Sequence, residues 1–423
     1  MRLRWQWAIA LFVITALLGL WEIEGALPRS VFGDEWRYLL YAKNLLEGHY
    51  SPREHVVLLN GPGYPLLLAP FVSYDWQDGA RLLNAFLHAG VVLYAWLLLY
   101  PALPMRWALG VVAALIAYPA LREHLPLLYT EVFTTFLCAA WTFHAWNATK
   151  DRRHLGVAGV LLGVLCLTRV NFGPATVGLG LVAGAVWFLR RNELARSYGV
   201  QAAIALVLCL PYLAYTYSLT GRWFYWSSAG GNMFYWLTSP FPEEYGDWYH
   251  QGWVYQNELL RSHHQLIHDR TTGLGANPRL PLLEQLFNIS SPESGDDFMA
   301  QGLENAREHP LKFAYNWCAN VSRLFFDVPV TVRGTPFWNV YTKSHLWLLP
   351  AAALLFAKAR RTRTPFPPAA WPLALFTLLS FAVYSFVSST ARYLIPIATI
   401  WLLLGALWAS KTIPPTRKRL RPR

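Results

Sequence analysis

Apolar runs of 15 to 21 residues, separated by short basic loops, dominate this chain and restrict it to a membrane fold. A helix needs about 20 residues to cross the hydrocarbon core of a bilayer. No water is available there to satisfy an open backbone. The runs fall at 5–23, 82–100, 107–121, 126–146, 155–170, 173–189, 198–218, 341–357, 371–388 and 393–409. They predict an all-α polytopic membrane protein with about 10 transmembrane helices, although 155–189 also reads as one re-entrant unit. Composition agrees, with 55% hydrophobic and only 14% charged residues. Arg2 and Arg4 precede the first run, but Trp21-Glu22-Ile23-Glu24 offers no small-residue cleavage site, so a retained span is expected.

Charge sets the expected sidedness. The net charge of +12 is spread over short runs and forms no single stripe, which argues against nucleic acid as a partner. Arg2 and Arg4, Arg106, Lys150-Arg152-Arg153, Arg190-Arg191-Arg196, Lys358-Arg360-Arg361-Arg363 and the tail 411–423 share one side if the runs alternate. That side is expected to be cytoplasmic, with both termini on it. A bacterial inner membrane is the expected location, since no endoplasmic reticulum retention signal is present. Cys138, Cys166 and Cys209 lie in apolar runs and Cys318 stands alone, so no disulfide framework is implied.

The chain then divides into an N-terminal membrane module (1–218), an extracytoplasmic domain (219–340), C-terminal spans (341–410) and a basic tail (411–423). The first outer loop, 24–81, carries a helical pattern over 35–47, with Tyr38, Ala42, Leu45 and Leu46 apolar and Gly48 as a stop. It is expected to lie in the interface plane. The proline-punctuated piece 61–71 is too short to span and is expected at the surface as well. In 219–340, Trp223-Phe224-Tyr225-Trp226 reads as an interfacial aromatic belt or as sugar-stacking walls. A basic amphipathic helix with Lys312 and Arg323 is expected over 308–326.

Ionisable residues at span ends mark the candidate chemistry. Asp34 and Glu35 open the 35–47 pattern, where Asp34 fits an N-cap and Glu35 the helix dipole. A carboxylate there also suits a general base, or a ligand holding a divalent cation against a phosphate. Glu131 is a second acid, at the start of 126–146, with Glu123 and His124 just before it. Arg169 and Arg392 stand at outer span ends and are able to clamp a phosphate bidentately. His264 and His268 share a helical face beside His263 and Asp269, but no third ligand has motif spacing, and no metal site is assigned. Gly159-x-x-x-Gly163 and Gly180-x-x-x-Gly184 are close-packing patterns. No P-loop or dinucleotide fingerprint is present.

The order of these features resembles the GT-C glycosyltransferases, and is most similar to the protein mannosyltransferase and aminoarabinose transferase group (glycosyltransferase family 39 type). The resemblance is carried by the first-loop Asp34-Glu35 with its helix, the proline-rich piece, Thr130-Glu131, Leu167-Thr168-Arg169 and Arg392-Tyr393-Leu394-Ile395-Pro396. It covers most of 1–220 and 385–410 and leaves 225–305 uncovered. It implies transfer of a sugar from a polyprenyl-phosphate carrier to an extracytoplasmic glycan, lipid or protein. Asp34 would be the base, Glu131 would assist it, and Arg392, near Tyr393, would lie by the donor phosphate. Many relatives carry a lysine before the prolines, where this chain has Asn60-Gly61-Pro62-Gly63, which leaves Arg169, Arg392 or Arg37 to bind the phosphate. A lipid-linked sugar flippase or secondary transporter is an alternative, as is a surface polysaccharide polymerase or ligase. The two similar halves usual in transporters are not evident.

Overall fold

Ten apolar helices and a layer of shorter ones at one end make up what the structure, a computed structural model, describes: residues 2–27, 29–31, 33–54, 56–240, 245–246, 291–327, 345–361 and 365–410. The elements are α1 (Arg2–Glu24), α2 (Glu35–Leu46), α3 (Gly63–Ser73), α4 (Gln77–Leu99), α5 (Met105–Ile116), the single turn α6 (Pro119–Arg122), α7 (Thr130–Ala148), α8 (Arg153–Thr168), α9 (Phe172–Arg190), α10 (Glu193–Thr220), α11 (Ala229–Leu237), α12 (Pro292–Glu308), α13 (Pro310–Phe326), α14 (Leu348–Arg361), α15 (Trp371–Ser385) and α16 (Ile395–Trp408). A 3-10 turn, Ala391–Leu394, leads into α16. The basic tail, His263, His264, His268 and Asp269 lie outside the described residues.

Contacts at the helix ends fix the alternation. Arg4 Nη2 donates to the Leu97 carbonyl at 2.9 Å, so α1 starts where α4 ends. Arg122 meets Glu22 at 2.9 Å at the other end of α1. Lys358, late in α14, lies 4.6 Å over the Trp107 ring at the start of α5. Tyr198 Oη, early in α10, donates to the Ala369 carbonyl just before α15. The described basic loops therefore gather at one end, and α2, α3, α11, α12 and α13 gather at the other.

Six segments are long and apolar enough to cross a membrane: Arg4–Glu24, Gln77–Leu99, Phe172–Arg190, Glu193–Thr220, Pro368–Ser385 and Ala391–Trp408. The expected count of about ten is reached only when the shorter apolar helices are included. α5, α8 and α14 have 12, 16 and 14 residues. α7 reaches 19 but carries Glu131 and a series of threonines. The expected span 107–121 stops at Ile116 because Pro119 disfavours helix in the residue before it, and Tyr118 is extended. α8 and α9 are separate helices joined by the short turn 169–171, and the second is long enough to cross a membrane.

Burial separates the interior helices from the rim. The apolar windows of α4 and α16 are 72% buried, while those of α1, α9 and α10 are 33% buried. The rim helices expose Leu17, Trp21, Leu181, Phe188, Val207 and Leu210, a surface suited to lipid. α7 packs against α4, α8 and α16, and this enclosure is what lets it hold a buried acid. Small residues permit the close approaches. A Cβ on Gly159 would lie 2.6 Å from Ile204, and one on Gly163 2.8 Å from Leu208, so the first glycine pair packs α8 onto α10. Gly184 faces open space and takes no part in such packing.

Two further expectations change. The piece 61–71 is only half at the surface, since Gly63, Tyr64, Pro65 and Leu68 of α3 are buried. α13 is amphipathic, but Arg323 is 2% exposed and donates to the carbonyls of Tyr245 and Gly246, so it anchors the helix internally.

Candidate active site

The site forms where five chain segments meet at the end opposite the basic loops. Gly33, with φ +60°, turns the chain into α2, and a Cβ there would strike the Tyr129 hydroxyl. Asp34 follows with φ −69° and ψ −14°, already helical, and makes no capping bond with its side chain. The expected N-cap role is therefore replaced. The carboxylate is held by arginines, with Oδ1 2.8 Å from Arg37 Nη2 and Oδ2 2.7 Å from Arg392 Nη2. Burial alone would raise its pKa, but the charges of Arg392 and Arg37 outweigh that and hold it down at about 2.

Glu131 sits behind Asp34, in the first turn of α7, and is 1% exposed. Its Oε1 takes an ion pair from Arg169 Nη2 and lies 3.7 Å from Arg392 Nε. Arg169 ends α8 in extended conformation (φ −127°, ψ 102°), which swings its guanidinium across to α7. There its Nε donates to Thr130 Oγ1 at 2.9 Å. Gly61 and Gly63 allow that arrangement, because a Cβ on Gly61 would collide with the Leu167 carbonyl and one on Gly63 would lie 2.6 Å from Thr168 Oγ1. Glu131 Oε2, Arg169 Nη1 and the Tyr64 hydroxyl are buried with no hydrogen-bond partner among the described residues.

Arg392 joins the two acids, since the 3-10 turn places it between Asp34 and Glu131. Its guanidinium carbon lies 5.2 Å over the Tyr129 ring and 5.6 Å over Tyr393, and that of Arg169 lies 5.1 Å over Tyr393. Arg37 also donates from Nε to Asn60 Oδ1 at 2.8 Å, while Asn60 Nδ2 donates to the Tyr38 hydroxyl at 3.2 Å. Asn60 thus stands beside Arg37 and helps to hold its guanidinium against Asp34. Asp34, Arg37 and Arg392 are 20–29% exposed and form a mouth; Glu131 and Arg169 form a buried floor. Three guanidiniums against two carboxylates leave the cluster at +1, which suits an anion.

Glu35 does not join this cluster. Its carboxylate is fully buried on the other side of α2, 3.4 Å from Arg81 Nη2, and accepts from the Leu128 amide at 2.8 Å. Glu35 stands in the first turn of α2, as the dipole reading expects, and its carboxylate also forms a structural pair linking α2, α4 and the approach to α7. Removing one partner of a buried pair leaves an uncompensated charge, so Arg81→Met is expected to destabilise the protein by about 3–5 kcal/mol. Thermal unfolding in detergent checks this, with turnover per folded molecule unchanged. Lost turnover at unchanged Tm would return Glu35 to the chemistry. Glu123 is exposed and acts at a distance on His124. His124 contacts the Ala120 carbonyl through Nδ1 at 2.7 Å and is lowered in pKa by burial against the opposing charge of Glu131.

Among the described residues, no three His, Cys, Asp or Glu side chains group as metal ligands. The Arg392 guanidinium occupies the place between Asp34 and Glu131 where a divalent cation would bridge them, so these carboxylates do not fit one. Sequence reasoning missed Tyr129. Asn60 and Thr130 lie in the motifs it quoted, but their partners, Arg37 for Asn60 and Arg169 for Thr130, follow from no spacing in the chain.

No protein-family model matches the chain, and no curated protein matches it. Among solved structures, the crystal structure of ArnT from Cupriavidus metallidurans bound to undecaprenyl phosphate matches at 15% identity and a TM-score of 0.40, over 95% of this chain and 77% of that one. A likeness of that degree carries no argument, and the function is inferred from the geometry of the site.

Proposed function

We propose that this chain is a membrane glycosyltransferase of the GT-C type, which moves a sugar from a polyprenyl-phosphate carrier to an extracytoplasmic acceptor, with inversion at the anomeric carbon. The observation that carries the reading is the convergence of Asp34, Glu131, Arg37, Arg169 and Arg392 at the helix end opposite the basic loops. On the positive-inside rule, which supports this reading, that end is extracytoplasmic and both termini are cytoplasmic; the membrane proposed is a bacterial inner membrane.

The chemistry follows from the charges. A sugar joined to a lipid through one phosphate is a phosphodiester with a single negative charge, which balances the cluster's +1. The acceptor hydroxyl oxygen forms a bond to the anomeric carbon as the bond from that carbon to the phosphate oxygen breaks. The hydroxyl proton passes to Asp34, and the electron pair leaves on the lipid phosphate, where Arg392, Arg37 or Arg169 stabilises it. One base in line with one leaving group gives inversion.

A carboxylate held at a pKa of about 2 is a weak base, and the donor removes that difficulty. Phosphate and Asp34 compete for the same guanidiniums, so each arginine drawn to the phosphate raises the proton affinity of Asp34. The free protein is therefore expected to show no acid limb from Asp34 in kcat/KM above about pH 4. The limb in kcat, which reports the donor complex, is expected at higher pH. Coincident limbs would contradict the exchange of partners. The same depressed pKa contributes stability at neutral pH that is lost only as pH falls towards about 2.

Mass spectrometry of envelope lipids and glycans tests the assignment in cells. Deleting the gene is expected to remove one sugar increment from an envelope component, with wild type restoring it and Asp34→Asn failing to. An unchanged glycan profile would overturn the reading.

A further inference from the structure

The loop that carries Arg392 into the site is held from outside the two helices it joins. α15 ends at Ser385, and the 3-10 turn begins at Ala391. Between them, Asn320 of α13, fully buried, donates from Nδ2 to the carbonyls of Ser385 at 3.0 Å and Val387 at 2.8 Å. Its Oδ1 accepts from the Ser389 amide at 3.0 Å and from Arg323 Nη2 at 3.1 Å. Both ends of the amide are therefore used, and only this orientation pairs every donor with an acceptor.

Neighbouring bonds act in the same direction. The Ser388 amide donates to the Met233 carbonyl of α11 at 3.1 Å. The Ala391 amide donates to Asp327 Oδ1 at 3.1 Å, and His345 Nε2 donates to the Ala391 carbonyl at 2.8 Å. The extracytoplasmic layer, through α11 and α13, thus fixes the segment one residue before Arg392. Asn320-Val321-Ser322 has the spacing of a glycosylation sequon, yet its buried and fully paired amide leaves nothing to modify. The asparagine serves the loop.

We propose that Asn320 is a positioning residue of the donor-phosphate site, acting through residues 386–390 on Arg392. The inference rests on the transferase reading. Displacing a charged clamp by about 1 Å costs on the order of 100-fold in rate where geometry governs reaction. Loss of the Asn320 bonds acts on phosphate binding before it acts on Asp34.

The test uses full-length protein in detergent, with a farnesyl-phosphate-linked sugar as donor and farnesyl phosphate as binding probe. Asn320→Ala and Asn320→Asp are expected to raise the donor KM about 10- to 100-fold, with a smaller change in kcat. The aspartate variant keeps the acceptor for Ser389 but loses both donations, so it reads the same bonds should the alanine variant fold poorly. Neither is expected to add to the loss caused by Arg392→Ala. Asn316→Ala is the control: one turn earlier on α13, Asn316 donates to the carbonyls of Leu237 and Ser239 and to nothing on the loop. It is expected to lower Tm and leave donor KM unchanged.

A wild-type donor KM in both Asn320 variants, full additivity with Arg392→Ala, or an equal KM rise in Asn316→Ala would each overturn the proposal. Absence of transfer by the wild type would instead overturn the transferase reading, and affinity for farnesyl phosphate in the same variants then decides the role of Asn320.

Discussion

Asp34→Asn is expected to lower kcat by about 10²–10⁴-fold, the range that a positioned general base supplies. The substitution preserves shape and leaves an oxygen able to accept from one of the two arginines, so the fold and membrane insertion should survive. It also removes one negative charge, which takes the cluster from +1 to +2. The donor phosphate should then bind at least as well as before. The expected signature is therefore a large fall in kcat with no rise in donor KM. Steady-state kinetics on protein that elutes as a single species measures both. Normal turnover would remove Asp34 as the base, and a rise in KM matching the fall in kcat/KM would make it a binding residue.

Arg392→Ala carries the second large effect and has the opposite signature. Arg392 is 2.7 Å from Asp34 and 3.7 Å from Glu131, so its loss frees one oxygen of Asp34 and removes the link between mouth and floor. The cluster becomes neutral, and the leaving phosphate loses a charge-matched donor. Removing one donor of this kind costs about 10²–10³-fold, here expected in kcat/KM and chiefly through KM. Arg392→Lys restores the charge without the planar fork and should recover only part of the loss. Full recovery would show that charge alone, with no bidentate geometry, is what the site requires.

Glu131, Arg169 and Arg392 were legible because each stands within or at the end of an apolar run, where an ionisable group is expensive and so conspicuous, and Asp34 because it opens the helical pattern of the first outer loop. Their convergence was legible only as a shared side. The sequence could not show that Arg392 reaches Asp34 across 358 positions, because no periodicity links a 3-10 turn to a distant loop. Glu35 shows the converse. It sits next to Asp34 in sequence, yet a helix sends adjacent side chains about 100° apart, and it pairs with Arg81 on another face.

Backbone geometry explains the remaining differences. Asp34 reads as a cap because it follows Gly33 and opens a helical pattern. The left-handed turn at Gly33 instead brings Asp34 into helical geometry and frees its carboxylate for the arginines. Asn320 has the spacing of a sequon within the expected amphipathic helix, and only its buried contacts with 385–389 show what it holds. Helix ends were the least legible: α5 stops short of Tyr118 before Pro119, and Arg169 leaves α8 to meet Thr130 and Glu131, far away in sequence.

The most direct test is reconstitution of the purified protein in lipid vesicles with a polyprenyl-phosphate donor, radiolabelled in the sugar, and an envelope extract as acceptor. The account predicts one labelled sugar per acceptor, release of an equal amount of lipid phosphate, inverted anomeric configuration, and loss of all three in Asp34→Asn. Movement of the intact lipid-linked sugar across the bilayer, with its phosphate bond unbroken and indifferent to Asp34, would contradict it.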